Sequence, residues 1–267
     1  MNIEDLIDKL IEYFVIEDRS LEQFELPEEV EDKREFLDNI IALREPNELD
    51  ETILEMEDML LQKELEQKDI IDISEIETVD ITLQNDDAFS NIIALWQGDI
   101  SRLKTDCIVN AANPSLLGCS LPNHKCIDRV IHSNAGIRLK LECYDIMKNQ
   151  MHNENIGSAK ITSGYNLPAK YVIHTVGPTV YGELTNENKD DLAKCYYQVL
   201  KLAKNKNIRT IAIPCISTGE YHFPKNEAAI IALDTIREFL SENNNSFDKI
   251  IINVYTNEDY NAYKKLL

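Results

Sequence analysis

The sequence predicts an α/β fold: a mixed or parallel sheet sandwiched by helices, preceded by an acidic N-terminal helical segment. Two observations carry this reading. Residues 1–90 hold 30 Asp and Glu against 7 Lys and Arg, while the remainder holds 18 against 20, so the net charge of −21 lies almost wholly in the first third. A shift of that size marks a domain boundary, placed here between 88 and 89, with 1–88 helical and 89–267 the α/β domain. From residue 91 onward, short β-rich runs alternate with helical patterns, the texture of strands joined by packed helices.

Taken in order, residues 2–16 place Ile3, Leu6, Ile7, Leu10, Ile11 and Phe14 on one helical face. A second helix is expected over 28–44, ended by Pro46, and a third over about 50–67. Strands follow at 92–96 and 106–110, then a helix over 127–148. Further strands are expected at 159–162, 171–174, 210–213 and 250–254. Helices fall at 189–205 and 224–242, the latter opening on Pro224, a favoured first-turn position. A short terminal helix closes the chain. The acidic helices read as a small bundle packed on the main domain, with a docking surface or a lid as the alternatives.

Composition excludes several classes. No basic stripe exists to release counterions from nucleic acid, and the acidic segment repels a phosphate backbone. No apolar run approaches the roughly 20 residues of a membrane span. The start, Met1 to Asp8, is acidic and amphipathic rather than basic and then apolar, so a secretory signal is not expected. The six irregularly spaced cysteines read as reduced thiols, which points to the cytoplasm.

The segment with the most chemistry is Asn110-Ala-Ala-Asn113 followed by Cys119, His124 and Cys126. Two cysteines and a histidine at this spacing suit a tetrahedral zinc ion, and three protein ligands leave the fourth position open. Such a Zn2+ can bind a substrate oxygen or activate water; a purely structural zinc and accidental clustering are the bland alternatives. Cys107, Cys143, Cys195 and Cys215 fit apolar patterns and are expected in the core. Asp128 opens the helix after the ligands, where an aspartate is favoured on electrostatic grounds alone. His132 is read as a packing residue with a supporting role at the metal as the alternative. His152 is expected at the surface and His174 in a structural role.

Three stretches together resemble a known family. Gly98-Asp99-Ile100, then Ile108 to Asn113, and later Ile216-Ser217-Thr218-Gly219-Glu220-Tyr221-His222-Phe223-Pro224 are similar to the signature stretches of a macrodomain, the ADP-ribose-binding α/β fold. Leu117 to Cys126 stands where most members carry a glycine-rich loop, and there the chain resembles the zinc-containing branch. That branch implies ADP-ribosyl hydrolases associated in bacteria with a sirtuin-like ADP-ribosyltransferase.

The resemblance implies roles residue by residue. Asp99 would accept from the adenine amino group and the Ile100 amide would meet the ring. Asn113 would bond the distal ribose, since a carboxamide both donates and accepts. Asp128 would activate water or orient the metal-bound group, making Asn113 and Asp128 the catalytic candidates. Asn110 is read as structural. The loop Ser217, Thr218, Gly219, Glu220 and Tyr221 would turn its amides toward the diphosphate at a helix N-terminus, with Tyr221 and Phe223 as walls, His222 at the rim and Gly177 to Val180 as a further wall. The implied activity is zinc-dependent removal of ADP-ribose from a modified protein, at O-linked adducts on acidic side chains. The alternatives are a non-catalytic reader of ADP-ribosylated protein with a structural zinc, and a hydrolase of small ADP-ribose esters.

Overall fold

A computed structural model describes all residues from Met1 to Leu267. In chain order its elements are α1 (Ile3–Glu17), α2 (Val30–Leu43), α3 (Glu51–Glu66), β1 (Ile71–Asp72), α4 (Val79–Thr82), β2 (Ile93–Gln97), β3 (Leu103–Lys104) and β4 (Cys107–Ala111). Then come α5 (Ile127–Ala135), α6 (Ile137–Gln150), β5 (Ala159–Ser163), β6 (Tyr171–Thr175), α7 (Asn186–Asn205), β7 (Thr210–Pro214), α8 (Lys225–Glu242), β8 (Lys249–Val254) and α9 (Asn257–Lys264).

Six strands form one sheet in the order β2-β8-β7-β4-β6-β5, while β1 and β3 pair separately over two residues each. Every neighbour in the large sheet is parallel except β5, which runs antiparallel to β6 at the edge. The sheet is therefore mixed and flanked by helices, as the alternating pattern predicts.

Strand periodicity sends alternate residues to opposite faces, and the two faces build two cores. Cys107, Val109, Ile211, Ile213, Ile250 and Ile252 pack with α7, α8 and Tyr263 of α9. Ile108, Val172, Ala212 and Ile251 pack on the other side with Ile131 of α5 and Leu139 and Cys143 of α6. Both faces are covered, which is why these strands read as unbroken apolar runs.

The acidic segment forms an outer layer beyond α5 and α6. Leu6, Leu10, Phe14, Leu37, Leu54 and Leu60 enclose a third cluster that also takes in Ile137 of α6. Polar contacts join the same surfaces. Lys140 is buried and its Nζ donates to the carbonyls of Ile41, Ala42 and Arg44 at the C-terminus of α2, where a cation meets the negative end of the helix dipole. The Ile137 amide donates to Glu57 Oε2 at 2.8 Å, satisfying a first-turn amide that no carbonyl of α6 can reach.

The single helix expected over 127–148 is two helices. Gly136 separates α5 from α6 with φ of +92° and ψ of −179°, a conformation that an L side chain rarely adopts. The break lets α6 point its first amide, that of Ile137, at Glu57. Other boundaries move by a few residues, and the very short β1, α4 and β3 lie in stretches where no element was expected.

Candidate active site

A cleft of about 610 Å³ opens at the carboxyl ends of β2, β4, β7 and β8, the place where an open α/β sheet offers a ligand its loops and helix N-termini. Asp99, Ile100, Asn113, Ser217, Thr218, Gly219, Glu220 and Tyr221 all line it, together with Cys119, His124, Cys126 and Asp128. Residues from three distant stretches of sequence therefore share one cavity.

Asp128 sits on the first turn of α5 and is 5 % exposed. Its Oδ1 accepts from Asn110 Nδ2 at 2.8 Å and its Oδ2 from Asn113 Nδ2 at 3.0 Å. Two carboxamides thus fix the carboxylate plane from opposite ends. Burial pushes its pKa up to about 6, while the hydrogen bonds from Asn110 and Asn113 work against that rise.

Asn110 also approaches His174 Nδ1 at 3.2 Å. Its amide nitrogen already donates to Asp128, so it donates here too, and His174 carries its proton on Nε2, facing Thr162 Oγ1 at 2.9 Å. The ligand atoms of His132, Cys143 and His174 lie within 4.8 Å of one another, yet both nitrogens of His174 are engaged and offer no lone pair to a metal. His132 Nε2 lies 3.7 Å from Asp128 Oδ1. Burial, with Lys140 nearby, lowers the His132 pKa to about 3, so the two do not form an ion pair.

Asn113, expected at the distal ribose, has a fully used carboxamide. Its Nδ2 donates to Gly118 O and to Asp128, and its Oδ1 accepts from the Ser115 amide and Ser115 Oγ. A ribose hydroxyl would have to displace one of these partners. Asp99 similarly spends Oδ1 on the Ser101 amide and hydroxyl, capping the turn after β2, and its other oxygen has no such duty.

Cys119, His124 and Cys126 bring three ligand atoms within 4.8 Å of one another. Cys119 Sγ is 3.2 Å from His124 Nδ1, and the other ring nitrogen, Nε2, is 3.3 Å from Glu220 Oε1. Burial, with Cys119 beside it, holds the Cys126 thiol above its ordinary value. Two thiols and an imidazole in this arrangement are a donor set that fits zinc, and a carboxylate on the far side of the imidazole is the usual orienting partner of a metal-binding histidine.

The loop from Ser217 to Tyr221 runs between β7 and α8. The amides of Thr218, Gly219, Glu220 and Tyr221 enter none of its backbone–backbone hydrogen bonds, whereas those of His222 and Phe223 turn back to Gly219 and Ser217. Ser217 is held at φ of +66°, with its Oγ buried and unpartnered. Free amides gathered at one concave turn suit an anion.

Phe223 departs from its expected place. It is 2 % exposed and packs in the core beneath the loop with Ile216 and Ala228, so it supports the loop and does not line the cleft. Cys215, expected in the core, is half-buried and lines the cleft. His222 and His152 are exposed.

The chain matches the Macro domain model over residues 109–232. It is 41% identical over 241 residues to a protein-ADP-ribose hydrolase of Staphylococcus aureus, covering 90% of this chain and 86% of that one. The chain belongs to the macrodomain family. Human ADP-ribose glycohydrolase MACROD2 is 49% identical over 173 residues, or 65% of this chain and 38% of that protein. Among solved structures, a Trypanosoma brucei macrodomain in complex with ADP-ribose superposes with a TM-score of 0.66 at 31% identity, covering 85% of this chain and 94% of that one.

Within this macrodomain, Lys225, Asn253, Tyr255 and Asp259 also line the cleft without having been singled out from sequence. Asn253 ends the apolar run of β8, the same strand-end signal that marked Asn110, and its Nδ2 donates to Gly98 O at 3.0 Å. Lys225 lies between Glu258 and Asp259, at 2.9 and 3.1 Å. Nothing in local sequence marks that trio.

Proposed function

We propose that this macrodomain is a hydrolase that releases ADP-ribose from modified proteins, acting on O-linked adducts of acidic side chains with zinc as cofactor. The S. aureus and human relatives, a protein-ADP-ribose hydrolase and an ADP-ribose glycohydrolase, support the hydrolase reading. The zinc reading is supported by the donor set of Cys119, His124 and Cys126, which would hold the ion. The observation that carries catalysis is Asp128: a buried carboxylate, aligned by Asn110 and Asn113, in the same cleft as the ligand trio and the anion loop.

In this mechanism the adenine amine donates to the spare oxygen of Asp99, and the free amides of the 217–221 loop receive the diphosphate. Asp128 accepts a proton from the attacking water, whose oxygen joins the anomeric carbon as the bond to the protein's carboxylate oxygen breaks. The products are ADP-ribose and the restored acidic side chain. Bound zinc would supply Lewis-acid polarisation at this end of the substrate. Asn110 and Asn113 hold the base in place, and the buried floor of Phe223 and Ile216 keeps the loop from collapsing. The resemblance adds a sirtuin-like ADP-ribosyltransferase as the enzyme that installs the modification. The free cysteines fit a reducing cytoplasm, and no helix is long and apolar enough to cross a membrane.

The test is release of ADP-ribose from a protein modified on acidic residues, using native, chelator-stripped and Cys126→Ala protein, with folding and ADP-ribose binding followed in parallel. Release that disappears with the metal while fold and binding survive supports a zinc-dependent hydrolase. Binding without release in every preparation would leave a reader of the modification.

A further inference from the structure

Arg129 is 6 % exposed and lies three residues after Cys126. Its guanidinium makes four hydrogen bonds and an ion pair, and these divide between two parts of the chain. Nη1 donates to the carbonyls of Cys119 and Leu121 at 3.2 and 3.4 Å, inside the ligand loop. Nε donates to Asp38 Oδ2 at 2.8 Å, and Nη2 reaches Asn39 Oδ1 and Asp38 Oδ2, each at 2.7 Å. Asp38 also accepts from Ser133 Oγ.

Asn39 grips the loop a second time. Its Nδ2 donates to Asn123 Oδ1 at 2.7 Å, and its Oδ1 accepts from the Asn123 amide at 3.1 Å. Asn123 has φ of +57°, a left-handed turn that places His124 next in the chain. Such a residue holds its conformation when its surroundings fix it. Here the fixing group is one carboxamide on α2, more than eighty residues earlier.

We infer that Asp38 and Asn39 of the acidic N-terminal segment are positioning residues for the Cys119–Cys126 loop, holding it through Arg129 and Asn123 in the arrangement that binds the metal. The inference rests on the zinc reading above. It gives the segment a task in the active site although none of its residues lines the cleft. The buried guanidinium links the two: it needs an anion to offset its desolvation, Asp38 supplies that anion, and the remaining donors are then directed onto the loop carbonyls.

The experiment is Zn2+ affinity by chelator competition on the full chain, with apo-protein melting temperature and the Co2+ absorption spectrum as companions. Native protein is compared with Asn39→Ala, Asn39→Asp and Asn123→Gly. Asn39→Ala should weaken Zn2+ binding by about tenfold or more, the scale set by outer partners of metal ligands, and should alter the Co2+ spectrum. Asn39→Asp keeps the acceptor for the Asn123 amide and for Arg129 but sets an oxygen against Asn123 Oδ1, a contact restored only when the Asn123 carboxamide turns its Nδ2 inward, so it should recover part of the affinity. Asn123→Gly keeps the left-handed turn but loses its side-chain contact, so it should show a smaller loss, and it decides the matter if Asn39→Ala does not fold. Unchanged Zn2+ affinity in both Asn39→Ala and Asn123→Gly overturns the inference. Native protein that binds no Zn2+ overturns the metal reading beneath it.

Discussion

Glu220 Oε1 lies 3.3 Å from His124 Nε2, while the opposite nitrogen of the same ring faces Cys119 Sγ at 3.2 Å. The anion loop and the ligand loop therefore meet through one imidazole, whose tautomer is set by the carboxylate. Glu220 is exposed, so screening by solvent limits its strength. Glu220→Ala is expected to weaken Zn2+ binding by about tenfold, the low end of the range for such partners, with little change in melting temperature. Chelator competition checks it.

Asp128→Asn removes a carboxylate but keeps its shape. One accepting oxygen becomes a donor that faces the amide of Asn110 or Asn113, an unmatched buried pair costing on the order of 1–3 kcal/mol. The rate of ADP-ribose release should fall by about 100-fold or more, as for loss of a general base. ADP-ribose binding, measured by calorimetry, should change far less.

Gly177 lies under the anion loop. A Cβ built there would overlap Ser217 Oγ, in the wall of the cleft, and lie 2.8 Å from Ile216 Cγ2, packed in the core beneath it. Gly177→Ala should displace the loop and weaken ADP-ribose by about tenfold or more, because the amides that meet an anion must be held in place. Adding Ser217→Gly removes the overlapping hydroxyl and also suits the φ of +66°. The double variant is expected to regain part of the affinity in the same titration.

Glu57 titrates where it can be measured. Burial pushes its carboxyl from 4.5 up to about 7, against the lowering effect of the Ile137 amide and Arg34. Between those values the folded protein holds a proton that the unfolded chain has released, so this contribution to stability is greatest at and below pH 4.5 and declines as pH rises toward 7. Its size is on the order of 3 kcal/mol. Glu57→Gln keeps an acceptor for Ile137 and should flatten that slope. Denaturant titrations of both proteins across this range read the difference directly.

Much of the architecture was legible because each sheet face is covered, so β4, β7 and β8 show as apolar runs without help from their partners. The gathering of Cys119, His124 and Cys126 beside the 217–221 turn at one cleft was legible because these residue types are local and unusual. What was hidden depends on distance along the chain. Asn110 holds Asp128 only because β4 ends beside α5, and Asp38 reaches Arg129 from another layer. Gly136 looked like an ordinary glycine in a helical pattern; its break makes sense only once Glu57 is seen waiting for the Ile137 amide. Phe223 was misplaced for a related reason, since sequence shows that an aromatic follows the loop but not on which side of the backbone it lies.

The polar and apolar ties between α6 and the acidic layer bear on how the molecule comes apart. Ile137 sits in the outer cluster, its amide is bound to Glu57, and Lys140 is sunk among the last carbonyls of α2. Stripping the outer helices would expose apolar side chains of α6 and take from Lys140 its three carbonyl acceptors. Heating should therefore melt the acidic layer and the sheet together, in a single calorimetric endotherm.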